Sequence, residues 1–498
     1  MRRVLALVLL VAAPCAAPSA QPASARALLD AAAAAGAVAD PAARTAAVTA
    51  LWSSLRPGQA TSRVPFVAAD TAVFLYRGTA ASVAVAGDAT GWQPTAALVR
   101  QGQSDLWLRT DRFDASARLD YKLVTGGSTW LLDPANPNRQ MSGFGPNSEL
   151  RMPAWQAEPL TVRDAAVPRG TLGAPVTVSS THYTTAPVTY RVWTPAGYAG
   201  GTDRLPAVYV TDGHEYADDA LGAVQTVLDN AVAQNLVEPC VVVFIDPRQG
   251  GQNRRQEQYV ANAGFAAFVA TELVPAVDAA YRTRAERGSR VILGTSLGGL
   301  FSVYLGTQQP GTFGLLAVHS PAFWASPAIS AAVSAAPAGA FRVAMTSGTV
   351  NDAADATRAM RDRLRGRGHT VAYREVAEGH SWGNWRALVD DVLAPLIPAR
   401  STSGEPAPSV PDRVRLDAVP NPARAAALRL RYTLAEAATV RVACYDAAGR
   451  QVAALPDVDA AAGTHDAALG GFALAAGVYA CRLTAGADSA TRTLTVLP

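Results

Sequence analysis

One serine, Ser296, stands between Gly294 and Gly298 at the end of an apolar run. The preceding residues, RVIL, predict a buried strand, and the following GLFSVYLGTQQ predicts a helix. Between a strand and a helix, such a serine occupies a strained turn that projects its hydroxyl above the sheet edge. The residues two before and two after it must be small, because strand and helix nearly touch there. We therefore predict that Ser296 is a nucleophile, the alternative being a purely structural turn.

Backbone N–H groups near this serine can stabilise a tetrahedral oxyanion. The N–H of Leu297 follows Ser296 directly and lies at the start of the predicted helix. A second donor is expected in the loop after the strand PAVYVTDG, from the backbone near Gly213 or His214. The sequence leaves open which of these two residues supplies it, and Gly213 is our first choice.

A serine hydroxyl needs a base, and the chain has six histidines. His380 follows the predicted strand VAYREVAEG and opens the loop HSWGNWRALVDDVL. This is the late position that α/β-hydrolases give to their base, in the order serine, acid, histidine. Of the other five, His465 lies in the predicted C-terminal sandwich and His182 precedes the first main strand of the α/β domain. His369 lies in a polar turn, and His214 and His319 follow strands but are wrongly placed for a base on a late loop. His380 is therefore the predicted base. The alternative is a structural role, which is commoner for a lone histidine.

The acid that orients this histidine should lie between the serine and the histidine, at a strand end. The segment after FRVAMTSG offers Asp352 and Asp355. Asp352 is nearer the strand end and is preferred, although either aspartate could instead cap the helix that follows. Glu378 is a remote third option.

Strands and helices alternate from about Leu172 to Pro398. Apolar, β-rich runs such as LPAVYVTDG, CVVVFIDP and RVILGTS are separated by segments with helical periodicity. This alternation predicts an α/β domain with a mostly parallel sheet, covered by helices and carrying its active residues at the carboxyl ends of the strands.

The motifs RVWTPAGY, LPAVYVTDGHEY, ELVPAVDAAYRT, GTSLGGL and EGHSWGNWR occur in this order over more than 200 residues. Together they resemble the α/β-hydrolase branch that includes enterochelin esterases, feruloyl esterases of carbohydrate esterase family 1 and esterase D. The resemblance implies the serine and histidine roles of Ser296 and His380, and support of the site by Trp382 and Trp385. It carries over to Asp352 less securely, because GTVNDAAD holds two aspartates.

This resemblance implies two-step acyl transfer without a metal or organic cofactor, and no cluster of carboxylates and histidines in the sequence suggests one. Feruloyl or acetyl esters of polysaccharides are the expected substrates. A cyclic tri-ester siderophore is the alternative, for which three arginines in the stretch 248–256 could supply positive charge. A non-catalytic glycan-binding protein is the alternative from another class, and it predicts a broken triad.

The segment before this domain has two parts. Residues 26–63 are alanine-rich with helical spacing, and residues 64–155 show short alternating runs typical of a β-sandwich. VAVAGDATGWQP, DLWLRT, LDYKLV and WLLDPANPNRQMSGFGPNSEL resemble the early-set, glycogen-binding-like module that precedes the hydrolase domain in enterochelin esterases. By this resemblance Trp92, Trp107 and Trp130 are candidates for stacking on sugar rings, and burial in the sandwich core is the alternative.

Residues 399–413 are rich in Pro and Ser and predict a linker, and residues 414–498 predict a second β-sandwich. NPARAAALRLRYTL, VRVACYDAAGRQVA and LAAGVYACRL resemble the C-terminal sorting domain of type IX secretion. That resemblance implies the type IX machinery as a partner, an adhesive or spacer domain being the alternative. Cys444 and Cys481 could pair there, or remain small buried residues on strands.

The ends and the charge of the chain concern its location and partners. Residues 1–25 combine two arginines, a short apolar stretch and an ASA cleavage site, which predicts a signal peptide. The apolar runs are too short or too interrupted for a transmembrane segment, so we expect a secreted or cell-surface protein exported through the periplasm. A net charge of +3 without basic, aromatic-rich blocks argues against nucleic-acid binding.

Overall fold

The computed structural model describes residues 21–399 and, beyond them, residues 414–419, 423–424, 429–434, 437–446, 450–461, 463–468, 472, 474–485 and 488–497. The chain divides into two compact units, Met1–Ala399 and Arg400–Pro498. Residues 1–20 of the predicted signal peptide and residues 400–413 of the predicted linker lie outside the described residues. The predicted cleavage site, after Ala25, falls at the first residue of a helix.

Two helices, α1 (Ala25–Ala37) and α2 (Pro41–Leu55), occupy the segment predicted to be helical. Each begins at a capping side chain: the Ser24 hydroxyl accepts from the backbone of Ala27, and the Asp40 carboxylate accepts from the backbone of Ala43. Their buried leucines and valine pack on one sheet of the sandwich that follows.

The sandwich is built from two sheets, with strand orders β1-β2-β6-β5 and β4-β3-β7-β10-β9, and β8 pairs with β7. Its strands are β1 (Phe66–Ala68), β2 (Thr71–Arg77), β3 (Val83–Gly87), β4 (Ala96–Ala97), β5 (Val99–Arg100), β6 (Leu106–Arg112), β7 (Arg118–Thr125), β8 (Thr129–Leu131), β9 (Arg139–Ser142) and β10 (Gly145–Arg151). Phe74, Trp107, Tyr121 and Leu150 fill the space between the sheets. We call residues 66–155 the sandwich module.

A nine-stranded sheet forms the centre of the next domain, in the order β11-β13-β15-β14-β18-β19-β20-β21, with β12 paired to β13. The strands from β15 to β21 in this order pair in parallel, and β11, β12 and β13 pair antiparallel. The strands of the domain, including the separate β16–β17 ribbon, are β11 (Thr171–Leu172), β12 (Val176–Val178), β13 (Val188–Thr194), β14 (Ala207–Val210), β15 (Val241–Asp246), β16 (Arg248–Gln249), β17 (Gln252–Asn253), β18 (Arg290–Thr295), β19 (Leu315–His319), β20 (Arg342–Gly348) and β21 (Thr370–Val376).

Helices cover both faces of this sheet, because alternate strand residues enter two different cores. In β15, Val241 and Val243 belong to one core and Val242 and Phe244 to the other. The helices are α3 (Gly213–Tyr216), α4 (Val224–Ala233), α5 (Arg255–Tyr259), α6 (Ala263–Phe268), α7 (Val274–Ala280), α8 (Leu297–Gln308), α9 (Ile329–Ala335), α10 (Ala354–Gly366), α11 (Trp382–Arg386) and α12 (Val389–Leu393).

One helical run, Ala263–Ala280, spans α6, a π turn and α7 and is long and apolar enough to cross a membrane by length and composition. A helix in the core of a globular domain passes the same test. Here Phe265, Phe268 and Val277 of this run are buried in one of the two cores. The run therefore packs as a helix in the core of the first unit.

The second unit contains two sheets, with strand orders β22-β24-β28 and β23-β30-β29-β25-β26, and β27 pairs with β25. Its strands are β22 (Val414–Val419), β23 (Ala423–Arg424), β24 (Arg429–Leu434), β25 (Ala438–Tyr445), β26 (Gln451–Ala454), β27 (Val458–Ala460), β28 (Gly463–Ala468), β29 (Gly477–Ala485) and β30 (Asp488–Leu497). Cys444 and Cys481 face each other on β25 and β29 and form a disulfide bond, which settles the alternative left open by the sequence. Cys240 is buried in the first unit without a disulfide partner.

Candidate active site

Ser296 occupies the turn between β18 and α8, with φ 55° and ψ −118°. A residue with a side chain adopts this left-handed backbone only at a cost of about 1–3 kcal/mol. A Cβ on Gly294 would overlap the backbone of Gly298, and a Cβ on Gly298 would overlap the Thr211 hydroxyl. Strand and helix therefore approach so closely that only glycine fits on either side of the serine.

Backbone hydrogen bonds hold the strained turn in place. The N–H of Ser296 donates to the carbonyl of His319 at 3.0 Å, and its carbonyl accepts from Ala322 at 2.9 Å. Both partners lie at the end of the neighbouring strand β19 or just beyond it. The surrounding chain thus fixes the direction of the Ser296 side chain.

His380 lies between Ser296 and Asp352. Its Nε2 is 2.9 Å from the Ser296 Oγ, and its Nδ1 is 2.6 Å from the Asp352 Oδ1. Because an ionised carboxylate only accepts, Nδ1 carries the proton and Nε2 is free to accept from the serine hydroxyl. The three residues predicted from the sequence are thus within hydrogen-bond reach in the order that acyl transfer requires.

The Asp352 carboxylate is buried and surrounded by donors. Its Oδ2 accepts from the Gly348 N–H at 2.6 Å and from the Ser320 hydroxyl at 2.5 Å. Burial raises the pKa of this carboxyl, but the hydrogen bond and charge of His380, with the donors Ser320 and Gly348, outweigh burial and hold the pKa below its ordinary value. The aspartate is therefore ionised where the histidine works as a base.

The alternative acids lie elsewhere. Asp355 is 98% exposed and pairs with Arg358 at 2.8 Å. Glu378 is buried beside Arg118 and accepts from the Trp155 indole N–H at 3.2 Å. Of the three carboxylates considered in the sequence, Asp352 is the one that His380 contacts.

Two of the remaining histidines lie near strand ends, and their imidazole rings contact groups other than the Ser296 hydroxyl. His319 is fully buried, its Nδ1 is 2.7 Å from the Thr346 hydroxyl, and burial lowers its pKa to about 3. His214 lies 3.3 Å from Asp246, and burial lowers its pKa as well. Both imidazoles are neutral at pH 7.

Ser320 and Trp385 support the acid and the base. The Trp385 indole N–H donates to the Ser320 hydroxyl at 3.0 Å, and Ser320 in turn donates to Asp352. The Trp385 ring also stands edge-on to His380, with 4.8 Å between the ring centroids. Sequence reasoning missed Ser320, because it precedes Asp352 by 32 residues and no local motif marks it. The role of Trp385 is the one that the family resemblance of EGHSWGNWR implies.

The two predicted oxyanion donors differ in their placement. Leu297 is the first residue of α8, and the first N–H groups of a helix have no acceptor within it. Gly213 begins α3, packs against the backbone of Phe244 and lines a neighbouring cavity with His214 and Asp246. The role of Gly213 as second donor stays a prediction, because its cavity is not the one that contains Ser296.

Ser296 and His380 open into a cavity of about 620 Å³. The domain built on the nine-stranded sheet and the sandwich module both line it, and the sandwich residues are Trp92, Asp120, Lys122, Trp130, Ser142, Gly143, Phe144 and Asn147. The hairpin tip 142–145 carries Phe144, which is 98% exposed at the cavity rim. The cavity wall thus comes from both the sandwich module and the domain of the nine-stranded sheet, which belong to one compact unit.

The three tryptophans singled out in the sequence divide between two roles. Trp107 is 7% exposed and fills the sandwich core, so the stacking role is wrong for this residue. Trp130 is exposed and Trp92 is half-buried, and both line the cavity. Trp92 has φ 62°, and its indole N–H donates to Asp88 at 3.2 Å. An aromatic residue in this backbone region is uncommon, and here it orients the indole.

The arginines of the stretch 248–256 are each paired with a carboxylate. Arg248 pairs with Asp246, and Arg254 pairs with Glu257. Arg255 lines the cavity but forms a two-point ion pair with the buried Asp212, at 2.6 and 3.0 Å. These arginines therefore do not form the unneutralised positive cluster that a polyanionic iron complex requires.

Within the residues that the structure describes, no group of three or more His, Cys, Asp or Glu side chains is arranged to hold a metal ion. Acyl transfer through Ser296 and His380 requires none. The expectation that the protein uses no cofactor stays a prediction.

Comparison with known proteins finds similarity to esterases over part of the chain. Residues 181–396 match the family model described as "Putative esterase". The iron(III) enterobactin esterase of Escherichia coli is 30% identical over 136 residues, which cover 27% of this chain and 32% of that protein. An endo-1,4-beta-xylanase/feruloyl esterase of Xylanibacter ruminicola is 25% identical over 133 residues, which cover 25% of this chain and 18% of that protein.

A solved structure extends the likeness to the fold. The crystal structure of the enterobactin esterase from Shigella flexneri, in the presence of enterobactin, aligns with a TM-score of 0.55 and 22% identity over 66% of this chain and 92% of that chain. The chain spans less than two thirds of the length of the two curated relatives named above. Part of the chain therefore matches an esterase family model, and the chain shares its fold with the enterobactin esterase over 66% of its length.

Proposed function

We propose that the protein is a secreted serine carboxylester hydrolase that works through an acyl-enzyme. The observation that carries this proposal is the position of His380 between the Ser296 hydroxyl and the ionised Asp352. A strained serine, an imidazole with a free Nε2 and a buried carboxylate are the parts that nucleophilic catalysis requires.

In the first step the Ser296 Oγ attacks the ester carbonyl carbon while His380 takes the hydroxyl proton on Nε2. The Leu297 N–H stabilises the oxyanion, and Asp352 stabilises the imidazolium that forms. The C–O bond to the alcohol then breaks as His380 returns its proton to the leaving oxygen. In the second step His380 deprotonates water, which attacks the acyl carbon of the acyl-enzyme. The bond between that carbon and the Ser296 Oγ then breaks as His380 returns the proton to this oxygen, which releases the acid and regenerates the serine hydroxyl.

Esters on neutral sugars, with feruloyl or acetyl as the acyl group, are the proposed substrates. Aromatic rings and hydrogen-bonding groups share the cavity, with Trp92, Trp130 and Phe144 from the sandwich module and Asn147 and Asn253 among the polar residues. Rings of this kind stack on the apolar faces of sugars and on aromatic acyl groups. The paired state of Arg255 argues for an uncharged ligand over a polyanion.

A siderophore esterase is the second candidate, since the likeness to the enterobactin esterase from Shigella flexneri covers 66% of this chain and most of that protein. Assays in parallel on a feruloyl disaccharide and on a ferric catecholate tri-ester separate the two candidates. We expect kcat/KM to be higher on the feruloyl sugar, and the reverse order would select the siderophore.

Serine reactivity is the first test of the proposed chemistry. A fluorophosphonate probe followed by peptide mapping should label Ser296, and Ser296→Ala should lower kcat on a chromogenic acetate ester by about five to six orders of magnitude. Ser334→Ala, at an exposed position on α9, is the control and should keep wild-type activity. Wild-type turnover in Ser296→Ala would overturn the serine mechanism, whereas a wild-type protein that neither reacts with the probe nor hydrolyses any ester would favour the non-catalytic glycan-binding alternative.

Export is proposed from the two ends of the chain. The signal peptide, residues 1–25, would direct the chain to the periplasm, and the type IX sorting domain, residues 414–498, would direct it across the outer membrane. The described residues of the stretch 414–498 belong to a compact unit of their own, which suits a domain that is removed after export. Deleting residues 414–498 should retain the esterase inside cells, whereas activity in the medium at the wild-type level would favour an adhesive or spacer domain.

A further inference from the structure

The chain that leads into His380 runs along the sandwich module. The N–H of Arg118, the first residue of β7, donates to the Ala377 carbonyl at 3.3 Å, and Arg118 and Glu378 form an isolated parallel β-bridge. His380 follows two residues later. We call residues 377–386 the histidine loop. The backbone of the sandwich module therefore contacts this loop just before His380.

The Arg118 side chain extends this contact under the loop. Its guanidinium is 1% exposed, and Nη1 donates to Glu378 at 3.3 Å and to the Ser381 hydroxyl at 3.1 Å. Its other two nitrogens bind Glu149 and Asp120 within the sandwich module. One rigid, planar cation thus joins two sandwich carboxylates to residues on both sides of His380.

Two glycines of the histidine loop make room for sandwich side chains. A Cβ on Gly383 would overlap the Arg118 guanidinium, and a Cβ on Gly379 would overlap the Asp88 carboxyl group. The backbone carbonyl of Asp88 also accepts from the Asn351 side chain at 2.8 Å, next to the triad acid. The sandwich therefore contacts the chain one residue before His380, three residues after it and one residue before Asp352.

From these contacts we infer that Arg118 is a positioning residue for the esterase reaction, which holds the His380 loop so that Nε2 stays within reach of Ser296. The sandwich module is then a working part of the catalytic apparatus as well as a wall of the cavity. The inference rests on the proposed function, because it assigns Arg118 a role in the chemistry of Ser296 and His380.

The test compares Gly→Ala variants of the full chain. Gly383→Ala pushes a methyl group against the guanidinium, although alanine is favoured over glycine in a helix such as α11. Gly366→Ala is the matched control, since a Cβ there meets no atom within 4 Å. Because small displacements of a base cost up to about a hundredfold in rate, we expect Gly383→Ala to lower kcat about 10- to 100-fold with KM within about twofold. Gly366→Ala should match the wild type.

A second measurement reports on the histidine without turnover. The Nδ1 proton shared with Asp352 should give a low-field proton NMR signal, assigned by its loss in His380→Ala. We expect this signal to weaken or disappear in Gly383→Ala and in Arg118→Met, with partial recovery in Arg118→Lys, while circular dichroism shows a folded chain. If Arg118→Met does not fold, Gly383→Ala decides.

An unchanged signal and an unchanged kcat in folded Gly383→Ala would overturn the inference. A rise in KM with kcat unchanged would also overturn it, because that result assigns Arg118 to substrate binding. Full activity of Ser296→Ala would instead overturn the proposed function, and the NMR result would still report whether Arg118 positions His380.

Discussion

Ser296 and His380 lie within one hydrogen bond of each other, but the chain positions them in different ways. Ser296 is placed by a short stretch of consecutive residues, in which Gly294 and Gly298 allow strand and helix to touch. His380 is placed by contacts with distant segments. Asp352, which follows β20, binds its Nδ1, and Arg118 of the sandwich module binds Glu378, which is 260 residues away in sequence. The nucleophile depends mainly on local backbone geometry, supported by backbone hydrogen bonds to His319 and Ala322, and the base depends on contacts with several segments distant in sequence.

This difference affects how each half of the site tolerates change. The backbone of the serine turn is strained, and the adjoining strand and helix hold it in that conformation. A single added methyl group therefore disturbs the turn directly. The histidine loop responds to substitutions in other elements, because its position is the sum of several separate hydrogen bonds. The predictions below test the two halves in order of expected effect.

The largest effect is expected on the histidine half, at its acid. Asp352→Asn replaces the ionised acceptor of the His380 Nδ1 proton by a neutral amide, and kcat should fall about 10⁴-fold. Asp355→Asn is the matched control and should keep activity within about twofold, since that side chain is 98% exposed. Steady-state kinetics on a chromogenic acetate ester measure both. A reversed order of the two variants would move the acid to Asp355.

On the serine half, Gly298→Ala places a Cβ against the Thr211 hydroxyl. The turn has to shift, and we expect kcat to fall about a hundredfold and the free energy of unfolding to fall by about 1–3 kcal/mol. Gly311→Ala, where a Cβ meets nothing within 4 Å, serves as control. Kinetics and urea unfolding check both quantities. Activity at the Gly311→Ala level would show that the turn is more adaptable than its geometry indicates.

A smaller effect is expected where Trp385 supports the acid and the base. Trp385→Phe keeps an aromatic edge near His380 but removes the N–H that binds Ser320. Loss of one such hydrogen bond is worth about 0.5–1.5 kcal/mol, so kcat should fall about two- to tenfold. Trp324→Phe, at a side chain that is 76% exposed, should leave kcat unchanged. Equal rates in both variants would remove Trp385 from the positioning network.

The last prediction concerns the pH dependence of stability that arises from Glu215, which lines the cavity. Burial, with the nearby charge of Asp212, raises the pKa of Glu215 to about 7 from an ordinary value of 4.5. Between these values the folded chain holds a proton that the unfolded chain has released, so the raised pKa lowers stability as pH rises through this window. Glu215→Gln removes this dependence. Between pH 4.5 and pH 8 its free energy of unfolding should therefore gain about 1–3 kcal/mol relative to that of the wild type.

Thermal unfolding at pH 4.5 and pH 8 measures this difference. Glu286→Gln, at an exposed position, should follow the wild type at both values. Parallel shifts of the wild type and Glu215→Gln would show that Glu215 is ionised at neutral pH in the folded chain.

The contrast between the local serine turn and the distant contacts of His380 explains which parts of the site could be predicted from the sequence. The serine turn is a contiguous motif, so its strand, glycines and helix were all predicted, and chain order was enough to select His380 from six histidines. Asp352 and Asp355 were left as alternatives, because three residues of spacing do not reveal which carboxylate is buried. Ser320 and Arg118 could not be found, since their partners are 32 and 260 residues away in sequence. Among the tryptophans, alternation along a short strand did not distinguish the core-facing Trp107 from the cavity-facing Trp130.

The hairpin tip that carries Phe144 belongs to a different folded module from the reacting serine. Changes in its length or composition would alter which esters enter the cavity without altering the strand, turn and helix that make Ser296 reactive. Exchange of this hairpin between relatives would therefore be a direct way to redirect selectivity while the bond-breaking chemistry stays the same.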